Sequence, residues 1–308
     1  MNFLPIRVST LRGDVPIDFN AYIKINDRYI LYLRQGDSFE GPRLKRLREK
    51  KLKKMFIIPD EEANYRTYLS RNISMAFDPL SGKPLEVRCE IVQGIKESAA
   101  EAVFENPESP EHYQKAKEDS ERFAQFLAAE ARAAGIILQI ENIDRSIAHH
   151  GVTVATLATA AAQKIGKFDK RAIQILVLAS LLHDIEHFHS AIEIARPLAQ
   201  FSEDEMKYYR SHPAEGARKL QALKHMDTQV VKIIAQHEEY IDGGGFPNGL
   251  KESQMEPLAI YVAAANALDR MVAFEGVPRA EAAKKYMINA LGRYPLEIMK
   301  TMTEILPK

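Results

Sequence analysis

Residues 173–187 have the sequence IQILVLASLLHDIEH, an apolar run that ends on a histidine and an aspartate. The run from Ile173 to Leu182 is about half as long as the roughly 20 residues that a bilayer crossing needs, so it predicts a buried helix. His183 and Asp184 follow it directly, and His187 lies four residues beyond His183, which predicts that both imidazoles share one helix face. Because a carboxylate in so apolar a helix must be paired or coordinated, the run predicts a site as well as a core.

Further stretches with helical periodicity also direct nitrogen or oxygen donors toward the predicted core. An unpaired polar group in such a position would cost about 1–3 kcal/mol. One buried histidine is more often an ordinary core residue, but helical bundles build metal sites from donors on several facing helices. Several inward-facing donors on different helices together therefore predict a metal site. Its further inward-facing residues are His150, His212, His237, Asn266 and Asp269.

Composition narrows the class of protein. The 308 residues are 46% hydrophobic and carry 42 acidic and 42 basic side chains, which argues against bulk nucleic-acid binding. Nine histidines and a single cysteine, Cys89, favour imidazole and carboxylate ligation and a reducing compartment. Residues 1–13 lack the pattern of a secretion signal. We therefore expect a cytoplasmic chain without a membrane span.

The chain divides by pattern into three parts. Short β-branched and aromatic runs, including Ile17–Ile25 and Tyr29–Leu33, are separated by Asn26-Asp27 and predict a small sheet. The parts are a small α+β domain over residues 1–84, a helical linker over 85–141 and an all-α domain over 142–308. The function of the first domain cannot be inferred from motifs, and a protein partner bound through it is left open.

The order and spacing of the polar residues resemble the HD superfamily of metal-dependent phosphohydrolases, and within it the HD-GYP branch. The resemblance covers Asn142 to Val277. The family's H-D-x-G-K motif resembles HDIEH at residues 183–187, and its H-H-E-x-x-D-G-x-G-Y-P signature resembles HEEYIDGGGFP at 237–247. The histidine-valine-alanine, histidine-proline and D-x-x-D-A-L elements correspond to residues 150–155, 212–213 and 266–271. The amino-terminal part also resembles a domain often found before HD-GYP domains.

The resemblance implies a set of roles. In that family, metal ions bridged by the motif aspartate activate a water molecule that attacks a phosphodiester of cyclic di-GMP. The implied cofactor is two divalent ions, with iron favoured and manganese or zinc as alternatives. The implied metal ligands are His150, His183, Asp184, His212, His237 and Asn266, with Glu238 as an additional oxygen ligand; Asp184 and His187 are the implied catalytic residues; and His187, Gly244, Gly245, Phe246, Asp269 and Arg270 are the implied substrate contacts.

Several positions depart from the family pattern. His187 replaces the motif lysine and could meet a phosphate as a cation only when protonated. Glu238 replaces the second signature histidine, Phe246 the signature tyrosine and Asn266 a ligand aspartate, while Ser146 replaces a glutamate that holds a third metal in some members. We therefore expect two ions and not three.

The departures leave three interpretations open. The leading one is a phosphodiesterase that acts on cyclic di-GMP or a related nucleotide. The second is a metal-containing but catalytically weakened module that senses a nucleotide or binds a partner. The third is a scaffold in which the buried polar cluster is structural.

Overall fold

The computed structural model describes residues 3–40, 42–143 and 145–307. The chain divides into two compact units, Met1–Ser98 and Ala99–Lys308. The first unit contains a small sheet with helices, and the second is helical throughout its described elements. The predicted fold class, an α+β domain followed by an all-α HD-type helical domain, is confirmed.

The sheet of the first unit has four antiparallel strands in the order β1-β4-β2-β3. The strands are β1 (Leu4–Arg7), β2 (Ala21–Ile25), β3 (Arg28–Leu33) and β4 (Lys54–Ile57). Two-residue hairpin turns need positive φ at both central residues, a conformation that Asn and Asp tolerate. Asn26 and Asp27, with φ of 48° and 61°, form such a turn between β2 and β3, as their sequence predicts.

One predicted strand is shorter than expected. The run Ile17–Ile25 is extended only from Ala21 onward, so the prediction was wrong for its first half. The backbone N–H of Ile17 donates to the carbonyl of Asp37 at 2.9 Å, which holds this segment as a buried loop. The sequence of this loop has the apolar pattern of a strand because Ile17 and Phe19 are fully buried in the core.

Two helices complete the described elements around that sheet. They are α1 (Pro42–Glu49) and α2 (Glu62–Phe77). A positive φ of 53° at Lys51 follows the end of α1. The core of this unit consists of Ile6, Val8, Leu11, Val15, Ile17, Phe19, Ala21, Leu33, Phe39, Leu47, Met55, Ile57 and Tyr68.

The remaining described helices build the second unit, and the first of them spans the unit boundary. Three of them, α6, α7 and α10, are buried on nearly all sides, as expected for helices at the centre of a bundle. None of the helices within the described ranges combines the length and apolarity that a bilayer crossing requires. The helices are α3 (Leu85–Glu105), α4 (Pro110–Ala129), α5 (Ala133–Gln139), α6 (Ile147–Ile165), α7 (Lys170–Leu182), α8 (Glu203–Gln221), α9 (Thr228–Gln236), α10 (Pro257–Ala273), α11 (Arg279–Asn289) and α12 (Leu296–Ile305).

The apolar run quoted at the start forms α7, but this helix ends sooner than its periodicity predicts. It stops at Leu182, and the chain continues as a 3-10 turn over Ile185–His189. His183 and His187 are therefore not one turn apart on a continuous helix, and that prediction was wrong. In a 3-10 helix, residues three apart are eclipsed, so Asp184 and His187 are the neighbours instead.

Helices α6 and α7 approach each other closely at Gly151. A Cβ atom at this position would lie 2.8 Å from the carbonyl oxygen of Leu181, a distance that real Cβ contacts do not reach. The absence of a side chain lets the two helices pack, and it leaves the rings of His150 and His183 with centroids 5.1 Å apart. Gly151 thus sets the distance between the rings of His150 and His183.

We expect Gly151→Ala to lower the free energy of unfolding by up to about 2 kcal/mol. The collision with α7 costs about 1–3 kcal/mol, whereas alanine in a helix gains about 1 kcal/mol over glycine. Urea unfolding followed by circular dichroism measures the difference. Gly135→Ala is the matched control, because no heavy atom lies within 4 Å of a Cβ there. Gly135→Ala should raise the free energy of unfolding by about 1 kcal/mol, and an equal rise in Gly151→Ala would contradict the close packing.

Candidate metal centre

A cluster of histidines surrounds the carboxylate of Asp184, which directly follows α7 and is 4% exposed. Its Oδ1 atom lies 3.3 Å from Nε2 of His212 and 3.5 Å from Nε2 of His237. The same oxygen lies 4.0 Å from Nε2 of His187. One oxygen of the carboxylate therefore faces three imidazoles.

The other carboxylate oxygen of Asp184, Oδ2, faces a different pair of rings. It lies 3.5 Å from Nε2 of His183 and 3.7 Å from Nε2 of His150. These separations exceed the usual hydrogen-bond length of about 2.7–3.2 Å. Two donors that share one divalent ion lie roughly 3.0–4.2 Å apart when each is about 2.1 Å from it. The separations therefore fit donors that could share a divalent ion, and each oxygen of the carboxylate faces its own group of imidazoles.

Three of these histidines are oriented by the same local contact. Each places Nδ1 within hydrogen-bond distance of the backbone carbonyl three residues earlier, and because a carbonyl can only accept, Nδ1 must carry the ring proton. Nε2 is then left with a lone pair that points into the cluster. The three contacts are His183 to Ser180 at 2.7 Å, His212 to Tyr209 at 2.5 Å and His237 to Ile234 at 2.7 Å.

The sequence explains why these three backbone carbonyls have no N–H partner within their helices. The last four carbonyls of a helix have no partner within the helix, and Ser180 and Ile234 belong to the last turns of α7 and α9. Tyr209 lies inside α8, but Pro213 occupies the position whose N–H would bond to its carbonyl. The helix ends and the proline therefore provide the acceptors that aim the imidazoles.

The bare nitrogen atoms fit a bound cation. Nε2 of His212 and Nε2 of His237 are 2.8 Å apart, so two lone pairs would face each other unless a proton or a metal ion lies between them. Nε2 of His183 is buried and has no hydrogen-bond partner, which costs about 1–3 kcal/mol in an unliganded site. Imidazole with carboxylate is a donor set that iron, manganese and zinc accept.

His150 is held from α10. Its Nδ1 lies 2.6 Å from Oδ2 of Asp269, and its Nε2 lies 3.0 Å from Oδ1 of Asn266. Ligand histidines commonly donate their second N–H to a carboxylate, which fixes the ring and strengthens the ligand. Asp269, predicted as a substrate contact, is placed here to position His150, while Asn266 directs its amide oxygen toward the cluster.

Tyr209 is a site residue that the sequence did not predict. Its hydroxyl donates to Oε1 of Glu238 at 2.5 Å, and Nδ2 of Asn266 donates to the same oxygen at 3.1 Å. Burial raises the pKa of Tyr209 well above its ordinary value, so the phenol stays protonated as a donor. The available signal was its position three residues before His212 in a helix, which does not separate it from an ordinary core tyrosine.

His187 is buried without a hydrogen bond from either ring nitrogen. Its ring stacks on Tyr209, with centroids 5.8 Å apart and planes at 8°. Burial lowers the pKa of His187 well below its ordinary value, and His212 lowers it further, so the ring is neutral. This state differs from the protonated cation that a phosphate contact at this position would require.

Arg270, also predicted as a substrate contact, is a buried cation beside the cluster. Its Nε and Nη2 atoms have no hydrogen-bond partner. The guanidinium carbon lies 4.9 Å from the ring centroid of Tyr209 and 5.3 Å from that of Phe274. Burial alone would lower the pKa of Arg270, but Tyr209, Glu238 and Asp184 outweigh it and raise that pKa above its ordinary value. The charged group therefore keeps unused donors.

The glycine-rich segment after α9 is fastened by Glu239. This fully buried carboxylate accepts the backbone N–H of Asn248 at 2.6 Å and that of Leu250 at 2.9 Å. Gly244 donates its N–H to Oδ1 of Asp242 at 2.7 Å within the same segment. Glu239 thus folds the loop back onto the end of α9, a role that the sequence analysis did not assign.

Among the three consecutive glycines at 243–245, positive φ occurs only at Gly243, with φ of 85°. The requirement at Gly245 is space, because a Cβ there would lie 2.3–2.6 Å from backbone atoms of residues 238–240. Gly244 is exposed and Phe246 is half-buried, with its ring 5.8 Å from that of Tyr209. The loop glycines therefore serve the packing of the loop on itself.

The charge of the cluster centres on Asp184. Burial alone would raise the pKa of Asp184, but the neighbouring rings of His183, His212 and His237 hold it well below its ordinary value. The carboxylate is therefore ionised.

The candidate ligand atoms form three overlapping groups, and the atoms within each group lie within 4.8 Å of one another. The groups are His150, His183 and Asp184; Asp184, His187 and His212; and His212, His237 and Glu238.

The fold and the cluster define a class of protein, namely helical domains that assemble a buried histidine and aspartate metal site from several separate segments. A family model described as "HD domain" matches residues 114–295. The chain belongs to the HD domain family, and within it to the HD-GYP proteins, as its sequence motifs predict.

Individual relatives agree with this assignment. Bd1817, a HDG"Y"P protein from Bdellovibrio bacteriovorus, is 51% identical, with a TM-score of 0.94 over 99% of each chain. Cyclic di-GMP phosphodiesterase PA4108 of Pseudomonas aeruginosa is 31% identical over 123 residues, 40% of this chain and 30% of that protein. Cyclic di-GMP phosphodiesterase response regulator RpfG of Xanthomonas campestris is 26% identical over 243 residues, 77% of this chain and 62% of that protein. The chain thus spans less than two thirds of each curated relative.

We expect Asp269→Ala to weaken metal binding by about 10- to 100-fold, the usual effect of removing a carboxylate that orients a ligand histidine. Competition with a chelator, read by elemental analysis of the protein, measures the affinity. Asp119→Ala is the control, because Asp119 is equally buried on α4 but is not among the clustered donors. Unchanged affinity in the Asp269 variant would show that His150 needs no orienting partner.

Proposed function

We propose that the chain is a metal-dependent phosphodiesterase that hydrolyses cyclic di-GMP or a related cyclic dinucleotide through a binuclear centre. The observation that carries this proposal is the carboxylate of Asp184, whose two oxygens face two different groups of imidazoles. The names of two curated relatives, both cyclic di-GMP phosphodiesterases, support the substrate class.

The ligands divide into two sets around the shared carboxylate. Bound divalent ions supply an activated water and withdraw charge from phosphoryl oxygens. Iron is favoured by the family resemblance, while manganese and zinc accept the same donors. The first set is His150, His183, Asp184 and Asn266; the second is Asp184, His212, His237 and Glu238.

The charges of the site favour an anionic substrate. Asp184, Glu238 and Asp269 contribute three negative charges and Arg270 one positive charge, a side-chain total of about −2. Two divalent ions contribute about +4, so the loaded site would carry about +2. Such a balance attracts a phosphodiester, and the low exposure of the ligands strengthens the attraction because little water screens it.

We assign substrate contacts to residues at the edge of the cluster. Nε and Nη2 of Arg270 have no hydrogen-bond partner within the site. They would donate to a phosphate oxygen, and the charges of both groups would strengthen this hydrogen bond. Phe246 offers an aromatic face for a base, and the exposed backbone at Gly244, with Gly245 beside it, allows close approach. We also propose a cytoplasmic location, because a chain with a single cysteine, Cys89, forms no internal disulfide, and we propose that any protein partner binds the first unit.

A catalytically weakened sensor is the second candidate. The observation that favours it is Asn266, an amide in a ligand position, which gives one ion less negative charge than an aspartate would. Phe246 also lacks the hydroxyl donor of the family signature. Incubation of anaerobically purified protein with cyclic di-GMP separates the candidates, because an enzyme yields a linear dinucleotide or GMP, whereas a sensor binds without product.

We expect Asp184→Asn to lose both ions and all turnover, because the amide retains one oxygen donor but cannot bridge as a charged ligand. Elemental analysis gives the metal content per chain, which we expect to fall from two to below one. Asp242→Asn is the control, since Asp242 lies in the exposed loop and serves only a backbone turn there. A full metal complement in the Asp184 variant would refute the bridging role and with it the binuclear proposal.

We expect Arg270→Gln to raise the KM for cyclic di-GMP by roughly 10- to 100-fold, since hydrogen bonds to charged groups contribute about 1.5–3 kcal/mol. Arg270→Lys should recover part of the loss because the charge is retained. The matched control is Arg293→Gln, which removes a guanidinium 4.9 Å from the ring of Tyr240. If KM stays at the wild-type value in Arg270→Gln, the guanidinium does not contact the substrate.

A further inference from the structure

His187 has more unused bonding capacity than any structural role explains. It is 5% exposed, and both Nδ1 and Nε2 are buried without a hydrogen-bond partner. The other histidines of the cluster each bind a carbonyl or a carboxylate through one ring nitrogen. A neutral imidazole always presents one lone pair, and that of His187 has no donor to accept from.

The ring is positioned among the donors of one ion. Its Nε2 lies 4.0 Å from Oδ1 of Asp184, and its centroid lies 4.1 Å from that of His212. A donor atom of His187 lies within 4.8 Å of donors of both residues. The 3-10 turn brings this about, because His187 comes three residues after Asp184 and is eclipsed with it.

The packing of the ring argues against a role as a phosphate-binding cation. Its flat face is covered by Tyr209, and the positively charged Arg270 lies over the same tyrosine. A second cation beside Arg270 would be repelled, whereas a neutral ligand would not. Arg270 already places a positive charge beside the cluster.

We propose that His187 is a direct ligand of the ion held by Asp184, His212 and His237, and not a substrate contact. The proposal rests on the proposed function, since it requires the binuclear centre. It means that the change from lysine to histidine in the motif moves this position from substrate recognition into the metal site. That ion would then have three imidazoles, the shared carboxylate of Asp184 and the carboxylate of Glu238, so fewer coordination positions would remain open for water or substrate.

The test is His187→Phe, which keeps an aromatic ring on Tyr209 but removes both nitrogen atoms. We expect the affinity of one ion to fall at least about 10-fold while the other ion is retained. Chelator competition with elemental analysis gives the two affinities, and the visible absorption of the Co²⁺-loaded protein should change with the lost imidazole. In the metal-free state the variant should be as stable as the wild type or more so, because two unpaired polar atoms are removed.

His189→Phe is the matched control, since His189 lies in the same 3-10 turn but bonds through Nε2 to the carbonyl of Phe104, outside the cluster. It should bind both ions as the wild type does. Unchanged affinities and an unchanged Co²⁺ spectrum in His187→Phe would overturn the inference while leaving the binuclear centre intact. If the wild type itself binds no ions, the proposed function fails, a result distinguishable from failure at His187 alone.

Discussion

The carboxylate of Asp184 is ionised in the interior of a helical bundle, and this charge constrains everything around it. Burial disfavours the charge, so the carboxylate persists only where imidazoles or cations surround it. Five histidines from α6, the end of α7, the 3-10 turn after it, α8 and the end of α9 meet this need. These segments must therefore pack so that their histidines surround the carboxylate.

Three of the five histidines are aimed by short-range contacts, whereas His150 is held from α10 by Asp269 and Asn266. Those three bind a carbonyl three residues earlier, which is free because a helix ends or because Pro213 lacks an N–H. Long-range packing, such as the approach of α6 to α7 at Gly151, then brings the aimed rings together. Each of these three histidines therefore depends on few other residues for its orientation.

Sequence reasoning succeeded where a local pattern fixes the structure. The turn at Asn26 and Asp27 and the periodic helices followed from turn chemistry and apolar spacing. The end of α7 at Leu182 was missed because no glycine or proline marks it, and periodicity continues past the last hydrogen bond. Tyr209 was missed for another reason, since its bond to Glu238 joins residues far apart in the chain and leaves no local signal.

The low exposure of the clustered donors, from 0% at His150 to 8% at Glu238, also bears on how the protein acquires its ions. Such side chains offer little surface to solvent, so ions would enter or leave mainly when the bundle opens locally. Exchange of a bound ion would then be slower than at an exposed site. The element found in the site would therefore depend on which ion is available when the chain folds, as well as on which ion binds most tightly.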